Sequence, residues 1–115
     1  MANIGGNIIG KIQTMQTVGQ NDMGETVHEW VDAFEHKGWL GLQGGGSNYS
    51  NYKTKLEEST HVFLCDYKER IYALADKNTR MVIKGFVYDV LLIDNPDEMD
   101  KQLEIYLKRT GAWNG

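Results

Sequence analysis

The stretch Arg80-Met81-Val82-Ile83-Lys84-Gly85-Phe86-Val87-Tyr88-Asp89-Val90-Leu91-Leu92-Ile93-Asp94 contains two runs of β-branched and aromatic residues on either side of a Lys-Gly pair. Runs of this composition with a glycine between them predict a β-hairpin. From Phe86 to Ile93 every residue except Asp89 is apolar, so both faces of the second strand are expected to be covered. The stretch therefore predicts the centre of a small β domain.

Further strands are predicted on both sides of this hairpin. HVFLCDY at 61–67 is rich in β-branched and aromatic residues, and QLEIYLK at 102–108 alternates strictly between apolar and polar. Residues 8–18 predict another strand, although Ile8, Ile12 and Met15 also fit the spacing of a helix, and a turn at 20–24 joins it to the segment that follows. Residues 71–74 predict a short strand in the connection after 61–67. Because an open sheet of such strands would expose its edges, we predict a mainly β fold: a small closed or partly open antiparallel β-barrel with a long internal loop and one short helix.

Residues 26–36 fit two local structures. Four apolar residues recur at the i, i+3, i+4, i+7 spacing of a helix, namely Val27, Trp30, Val31 and Phe34. Thr26 and Glu29 add a capping-box pattern, so the local evidence favours one or two helical turns while a strand stays open. Residues 38–42 predict a short strand, with Trp39 in the core.

We predict one domain over residues 1–115, with a loose arm at 1–7, a long loop at 41–56 and a loose tail at 110–115. The loop is rich in glycine, serine and asparagine, a composition that loses much entropy on ordering, and it also carries two tyrosines suited to contacts. Trp113 lies in an otherwise polar tail and is a candidate interface anchor. The candidate channel or interface residues of the loop are Gly44, Gly45, Gly46, Asn48, Tyr49 and Tyr52.

Composition and spacing argue against several functions. The net charge of −4 disfavours a sequence-independent nucleic-acid binder, which needs a basic face. The single cysteine, Cys65, lies in a hydrophobic strand and is expected to be a buried structural thiol. The three histidines have no partner at metal-ligand spacing, and the acidic residues around Pro96 are expected to form a solvated turn. We therefore expect no enzyme activity, metal or cofactor, and neither a signal peptide nor a membrane span.

The chain resembles the head-tail connector family of tailed bacteriophages, the head-closure or head-tail adaptor proteins. The resemblance covers about residues 20–110 and rests on the order and spacing of segments rather than on one diagnostic motif. These segments are GE at 24–25 with EW at 29–30, KGWLGL at 37–42, Tyr52 with KL at 55–56, ESTHVFLCDY at 58–67, NTRMVIKGFVYDV at 78–90, IDNP at 93–96 and LEIYLK at 103–108.

The resemblance implies a small β-barrel that assembles as a ring, usually of twelve subunits, below the portal complex. Such a ring closes the DNA-filled head and provides the surface on which the tail docks, and the loop at 41–56 would project towards the channel and plug it. The implied partners are copies of the chain itself, the portal-adaptor complex, tail completion proteins, and genomic DNA that passes without sequence-specific binding. The implied location is the head–tail interface of the virion, reached from the host cytoplasm. The alternative is a monomeric barrel that binds peptide or nucleic acid.

Overall fold

A computed structural model describes residues 6, 8–42, 59–74 and 78–113, which form one antiparallel sheet closed into a barrel. The strand order around the barrel is β1-β2-β3-β6-β5-β4. The mainly β, closed antiparallel barrel predicted from the sequence is therefore confirmed. The elements are β1 (Ile8–Gln20), β2 (Thr26–Leu42), β3 (His61–Asp66), helix α1 (Glu69–Tyr72), β4 (Thr79–Ile83), β5 (Phe86–Asp94), a 3-10 turn (Pro96–Glu98) and β6 (Gln102–Ala112).

The predicted central hairpin is strands β4 and β5. They pair from Arg80 opposite Asp89 to Ile83 opposite Phe86, and Lys84 and Gly85 form the two-residue turn between them. Both turn residues have positive φ, 51° and 81°, as a type I′ turn requires. The Lys-Gly pair suits this turn because glycine adopts positive φ without steric cost.

Strand β5 is less covered than its apolar sequence predicted. Tyr88 and Ile93 point into the barrel and are buried, but on the outer face Asp89 is exposed and Val87, Leu91 and Leu92 are only half-buried. The prediction of two covered faces was therefore wrong for the outer face. The reason is that the described sheet closes on itself, so only the inner face of each strand packs against a core.

Residues 26–36 are part of the 17-residue strand β2, so the helical turns favoured by local spacing were wrong. Ile12 pairs with Phe34 and Gln13 pairs with Asp32, which leaves Ala33 as the extra residue of a β-bulge. A bulge adds one residue and interrupts the alternation of inward and outward side chains. The inward residues on either side of it are therefore three positions apart in the sequence. The helix-like spacing of Val31 and Phe34 is therefore the spacing of a bulged strand.

The core fills the barrel interior. Its most buried side chains are Ile12, Phe63, Cys65, Met81, Ile83, Tyr88, Leu103, Ile105 and Leu107. The alternation predicted for residues 102–108 is confirmed, because Leu103, Ile105 and Leu107 all point inwards. Trp39, in contrast, was expected in the core and is 46% exposed. Its neighbour Leu40 packs against the core instead, and alternation therefore turns Trp39 outwards.

Three further segments differ from expectation. Helix α1 occupies part of the segment where a short strand at 71–74 was predicted, and its Ile71 is buried in the core cluster. The tail predicted to be loose from Thr110 is strand as far as Ala112, because β6 continues to pair with β5. Strand β2 likewise runs through Leu42, two residues into the predicted loop. No helix in the described part of the chain is long and apolar enough to cross a membrane.

Candidate interaction surfaces

The barrel has two distinct ends, and the strand ends that flank the predicted loop lie at one of them. Leu42 at the end of β2 pairs with His61 at the start of β3, and His61 pairs with Leu107 of β6. The Lys84-Gly85 turn lies at this same end, because Phe86 pairs with Ala112 at the end of β6. We call this the basal end. The predicted loop residues lie outside the described residues, namely Gly44, Gly45, Gly46, Asn48, Tyr49 and Tyr52.

The basal end carries a cluster of four side chains in contact, which we call the basal cluster: His61, Phe86, Tyr88 and Arg109. The Arg109 guanidinium carbon lies 4.1 Å from the ring centroid of Phe86 and 5.4 Å from that of Tyr88, and its Nη2 donates to the Tyr88 hydroxyl at 2.8 Å. His61 meets Tyr88 edge-on, with 5.1 Å between ring centroids. Burial and the positive charge of Arg109 hold the pKa of His61 below its usual value of 6.5.

The lowered pKa of His61 predicts a pH-dependent contribution to stability. The unfolded chain binds a proton on this histidine more readily than the folded chain does, so stability falls as the pH drops through the unfolded pKa of 6.5. We expect wild-type protein to lose more stability than His61→Gln between pH 8 and pH 5.5, measured by urea unfolding at each pH. An equal loss in both proteins would show that His61 is not held neutral.

A second cluster lies on the outer wall of the barrel, around Arg80. Its guanidinium carbon lies 4.5 Å from the Trp30 ring centroid, and its Nε donates to Gln13 Oε1 at 2.7 Å. Gln13 in turn donates from Nε2 to Asp32 Oδ1 at 2.7 Å, and its side chain is buried, with a relative exposure of 6%. The hydrogen bonds hold the guanidinium over the indole ring.

Trp113, the candidate interface residue of the tail, lies against the barrel wall and is half-buried. Its backbone N–H donates to the carbonyl oxygen of Gly85 at 2.9 Å, and the Lys11 ammonium lies 5.1 Å from its ring centroid. Lys11 also pairs with Asp32 at 3.7 Å. Contacts within its own chain therefore hold Trp113 beside the Arg80 cluster, and its role as an interface residue stays a prediction.

At the opposite end, which we call the distal end, the β1–β2 hairpin extends beyond the barrel. The pairing of β1 with β4 stops at Thr14 opposite Thr79, and the pairing of β2 with β3 starts only at Gly38. Residues 16–29 therefore form a two-stranded ribbon, which we call the β1–β2 arm. Its tip is exposed, with Met23 at 84% and Val18 at 49%. Because residues 26–36 were predicted to be helical, the sequence did not indicate the arm, although it did predict the turn at 20–24.

The tip of the arm is built by Asn21. Its side-chain oxygen accepts the backbone N–H groups of Met23 and Glu25, each at 2.9 Å, and its amide donates to Glu25 Oε1 at 3.2 Å. Gly24 takes the positive φ of 81° that the turn needs. These bonds hold the apolar Met23 side chain out at the tip.

The acidic turn at the distal end is organised by Asn95, which is 5% exposed. Its amide nitrogen donates to Asp100 Oδ1 at 2.7 Å, and its side-chain oxygen accepts the Asp100 backbone N–H at 3.1 Å. Asp97, Glu98 and Asp100 all have positive φ, between 52° and 56°. Within the described ranges no group of three or more histidine, cysteine, aspartate or glutamate residues is placed to hold a metal ion.

The three histidines lie in separate surroundings. His28 Nδ1 lies 3.2 Å from the Thr17 hydroxyl in the arm, and His36 Nε2 lies 3.1 Å from the carbonyl oxygen of Asp66. His61 belongs to the basal cluster. Each ring therefore meets a different strand neighbour rather than a common centre.

Cys65 is fully buried between core residues, as predicted. Burial, with a smaller contribution from the charge of Asp66, raises the pKa of its thiol to about 12. Since the thiolate is the reactive form, we expect iodoacetamide at pH 8 to leave the folded protein unlabelled while it labels the urea-unfolded chain fully. Mass spectrometry of both samples measures this, and rapid labelling of the folded protein would contradict the buried position.

Comparison with known proteins identifies one family. The model of the family described as phage head completion protein matches residues 7–110, a range that contains all six strands apart from the last two residues of β6. A search of curated proteins finds no match. The family match agrees with the resemblance seen in the sequence, and its coverage includes both the basal cluster and the β1–β2 arm. The chain therefore belongs to the phage head completion protein family.

Proposed function

We propose that this protein forms a ring below the portal complex, closes the DNA-filled head and presents the surface on which the tail docks. Family membership gives the chain a structural role in head completion as a component of the virion. The ring, its count of about twelve subunits, and its contacts with portal-adaptor and tail completion proteins are the finer steps of the proposal. The coverage of the family match, from before β1 to within β6, is the observation that carries it.

The distribution of exposed apolar side chains supports a role in assembly. The barrel interior is packed with its own side chains, so binding has to use the outside. Large apolar residues are exposed at both ends: Met23 at 84% and Met99 at 53% distally, and Leu42 at 84% basally. Exposed apolar residues of this size are typical of surfaces that other proteins cover.

The charge supports passage of DNA rather than tight binding of it. The net charge of −4 gives the protein little electrostatic attraction to DNA phosphates. DNA that slides through the ring must break each contact as easily as it forms it, so weak attraction suits passage. In the proposal the loop predicted at 41–56 supplies the block that holds DNA in, and the nearest strand ends, Leu42 and His61, lie at the basal end. The protein acts as a gate and a connection, without catalysis.

The alternative of a monomeric peptide-binding or nucleic-acid-binding barrel predicts a concave aromatic groove. Two clefts in the described part of the chain, of about 400 and 310 Å³, share Glu35 and His36; the first is also lined by Ile9, Lys37 and Asp66, and the second by Phe34, Lys68, Arg70 and Ile71. Three residues of each lining are charged, and the Arg70 guanidinium covers the Phe34 ring at 4.5 Å from its centroid. We therefore do not favour the alternative.

Closure of the head can be tested directly on DNA-filled heads prepared without this protein. We expect added purified protein to convert the packaged DNA from nuclease-sensitive to nuclease-resistant. The control is the same protein unfolded and then added, which supplies mass without the barrel. DNA that stays nuclease-sensitive when folded protein is bound to the heads would contradict closure.

A further inference from the structure

The β1–β2 arm is acidic and apolar. Residues 16–29 contain three carboxylates, Asp22, Glu25 and Glu29, and no lysine or arginine. Met23 and Val18 are its exposed apolar side chains. A two-stranded ribbon is marginally stable alone, and this one carries apolar groups into solvent, so its structure favours an element that another surface covers.

The basal end carries the opposite chemistry. Lys84 lies in the β4–β5 turn next to Phe86, and Arg109 lies 4.1 Å above the Phe86 ring. Phe86 remains 38% exposed and Arg109 is exposed. Lys108 is also basal but stands opposite Asp89 on β5, which offsets its charge. We call Lys84, Phe86 and Arg109 the basal patch; within the described ranges neither of its cations forms an ion pair with a carboxylate.

The arm and the basal patch lie at opposite ends of one strand. Thr79 of β4 pairs with Thr14 at the root of the arm, whereas Ile83 pairs with Phe86 of the patch. The molecule is elongated along one axis, with extents of 50 × 32 × 26 Å. Two complementary surfaces at opposite ends are what a heterologous, head-to-tail contact between identical subunits requires.

We propose that the β1–β2 arm of one subunit docks on the basal patch of the next copy. Met23 packs on Phe86, and the carboxylates of the arm face Lys84 and Arg109. The occupant is a second copy because one chain carries both halves of the contact. The distal arm has carboxylates and exposed apolar side chains, and the basal patch has cations and an aromatic ring. This proposal rests on the proposed ring and names the surfaces that would build it.

Cross-linking of cysteine pairs tests the contact. We expect rings of Gln20→Cys/Ala112→Cys, assembled on portal complexes and treated with a short bis-maleimide, to give a ladder of covalent multimers, because Gln20 lies on the arm and Ala112 pairs with Phe86 of the patch. We expect the buried Cys65 to stay unreactive. The matched control is Gln20→Cys/Met99→Cys, in which both replaced residues are exposed but lie at the same distal end; we expect no ladder from it.

The other possible outcomes contradict either the arm contact alone or the ring as well. Rings that form but give no ladder, or the same ladder in the Met99→Cys control, overturn the arm contact and leave the ring standing. Cross-links from Gln20→Cys alone to the portal protein also overturn it, because the arm then binds another partner. Absence of rings with wild-type protein rejects the proposed function and, with it, this contact.

Charge reversal tests the electrostatic part. We expect Asp22→Lys/Glu29→Lys to lose ring assembly, and the added change Lys84→Glu to restore it in part, as seen by electron microscopy. The control Asp97→Lys/Glu98→Lys makes the same charge change in another exposed distal segment and is expected to leave assembly unchanged. Equal loss in both variants would mean that total charge, and not this contact, governs assembly.

Discussion

Replacing Gly38 by alanine is expected to destabilise the barrel by roughly 3 kcal/mol, the upper part of the usual range for overpacked cores. A Cβ at this position would lie 2.5 Å from the carbonyl oxygen of Leu64 and 2.6 Å from Cζ of Phe63. The strand cannot move aside easily, because Gly38 pairs with Ile8 on one neighbour and with Cys65 on the other. Stabilities of whole domains are about 5–15 kcal/mol, so this loss would be a large fraction of the total.

Two other glycines make a matched series for this measurement. A Cβ at Gly10 would meet the flexible Cε of Met81, which can turn away, so Gly10→Ala should cost less. A Cβ at Gly41, on the same strand as Gly38, would meet only Val62 Cγ1 at 3.9 Å, so Gly41→Ala should change stability little. Urea unfolding followed by tryptophan fluorescence gives all three values. Equal stability of Gly38→Ala and Gly41→Ala would contradict the close packing of β2 on β3.

Deletion of residues 44–51 is expected to preserve folding and abolish DNA retention. Ten residues, 43 and 52–60, would still join Leu42 to His61, which is ample for strands that pair directly. We therefore expect an unchanged unfolding midpoint, rings on portal complexes, and packaged DNA as nuclease-sensitive as in heads without the protein.

A length-matched variant separates two explanations of that loss. Replacing residues 44–51 by eight glycine and serine residues keeps the length and removes Tyr49. Restored retention would mean that the loop blocks DNA by its bulk, whereas continued leakage would assign the block to its side chains. An unfolded deletion variant would show that the segment is part of the barrel rather than a gate.

The sequence predicted those parts of the fold in which neighbours in the chain decide the structure. The β4–β5 hairpin follows from its Lys-Gly turn, and the inward face of β6 follows from strict alternation. The helical prediction for residues 26–36 was wrong because pairing with β1 stabilises a bulge at Ala33. This pairing joins distant positions, which local spacing does not reveal. The prediction that Trp39 is buried was wrong because it rested on side-chain size. The neighbouring Leu40 pairs with Phe63 and faces inwards, so the Trp39 side chain faces outwards.

The candidate surfaces were predicted less completely. Trp113 stood out by composition, but its contacts with Lys11 and Gly85 depend on the closure of the barrel. The basal cluster joins His61, Tyr88 and Arg109 from three strands, so no spacing in the sequence could have indicated it. The length of the β1–β2 arm depends on where the pairing of β1 with β4 ends, at Thr14, and the sequence does not indicate this position.

The central claim is that this phage head completion protein forms a ring beneath the portal. Electron microscopy of portal-adaptor complexes mixed with purified protein tests it most directly. We expect an added ring of density at the lower face of the complex, with one barrel per subunit. Complexes that gain no ring, together with a protein that stays monomeric and binds a short peptide or oligonucleotide, would contradict the claim.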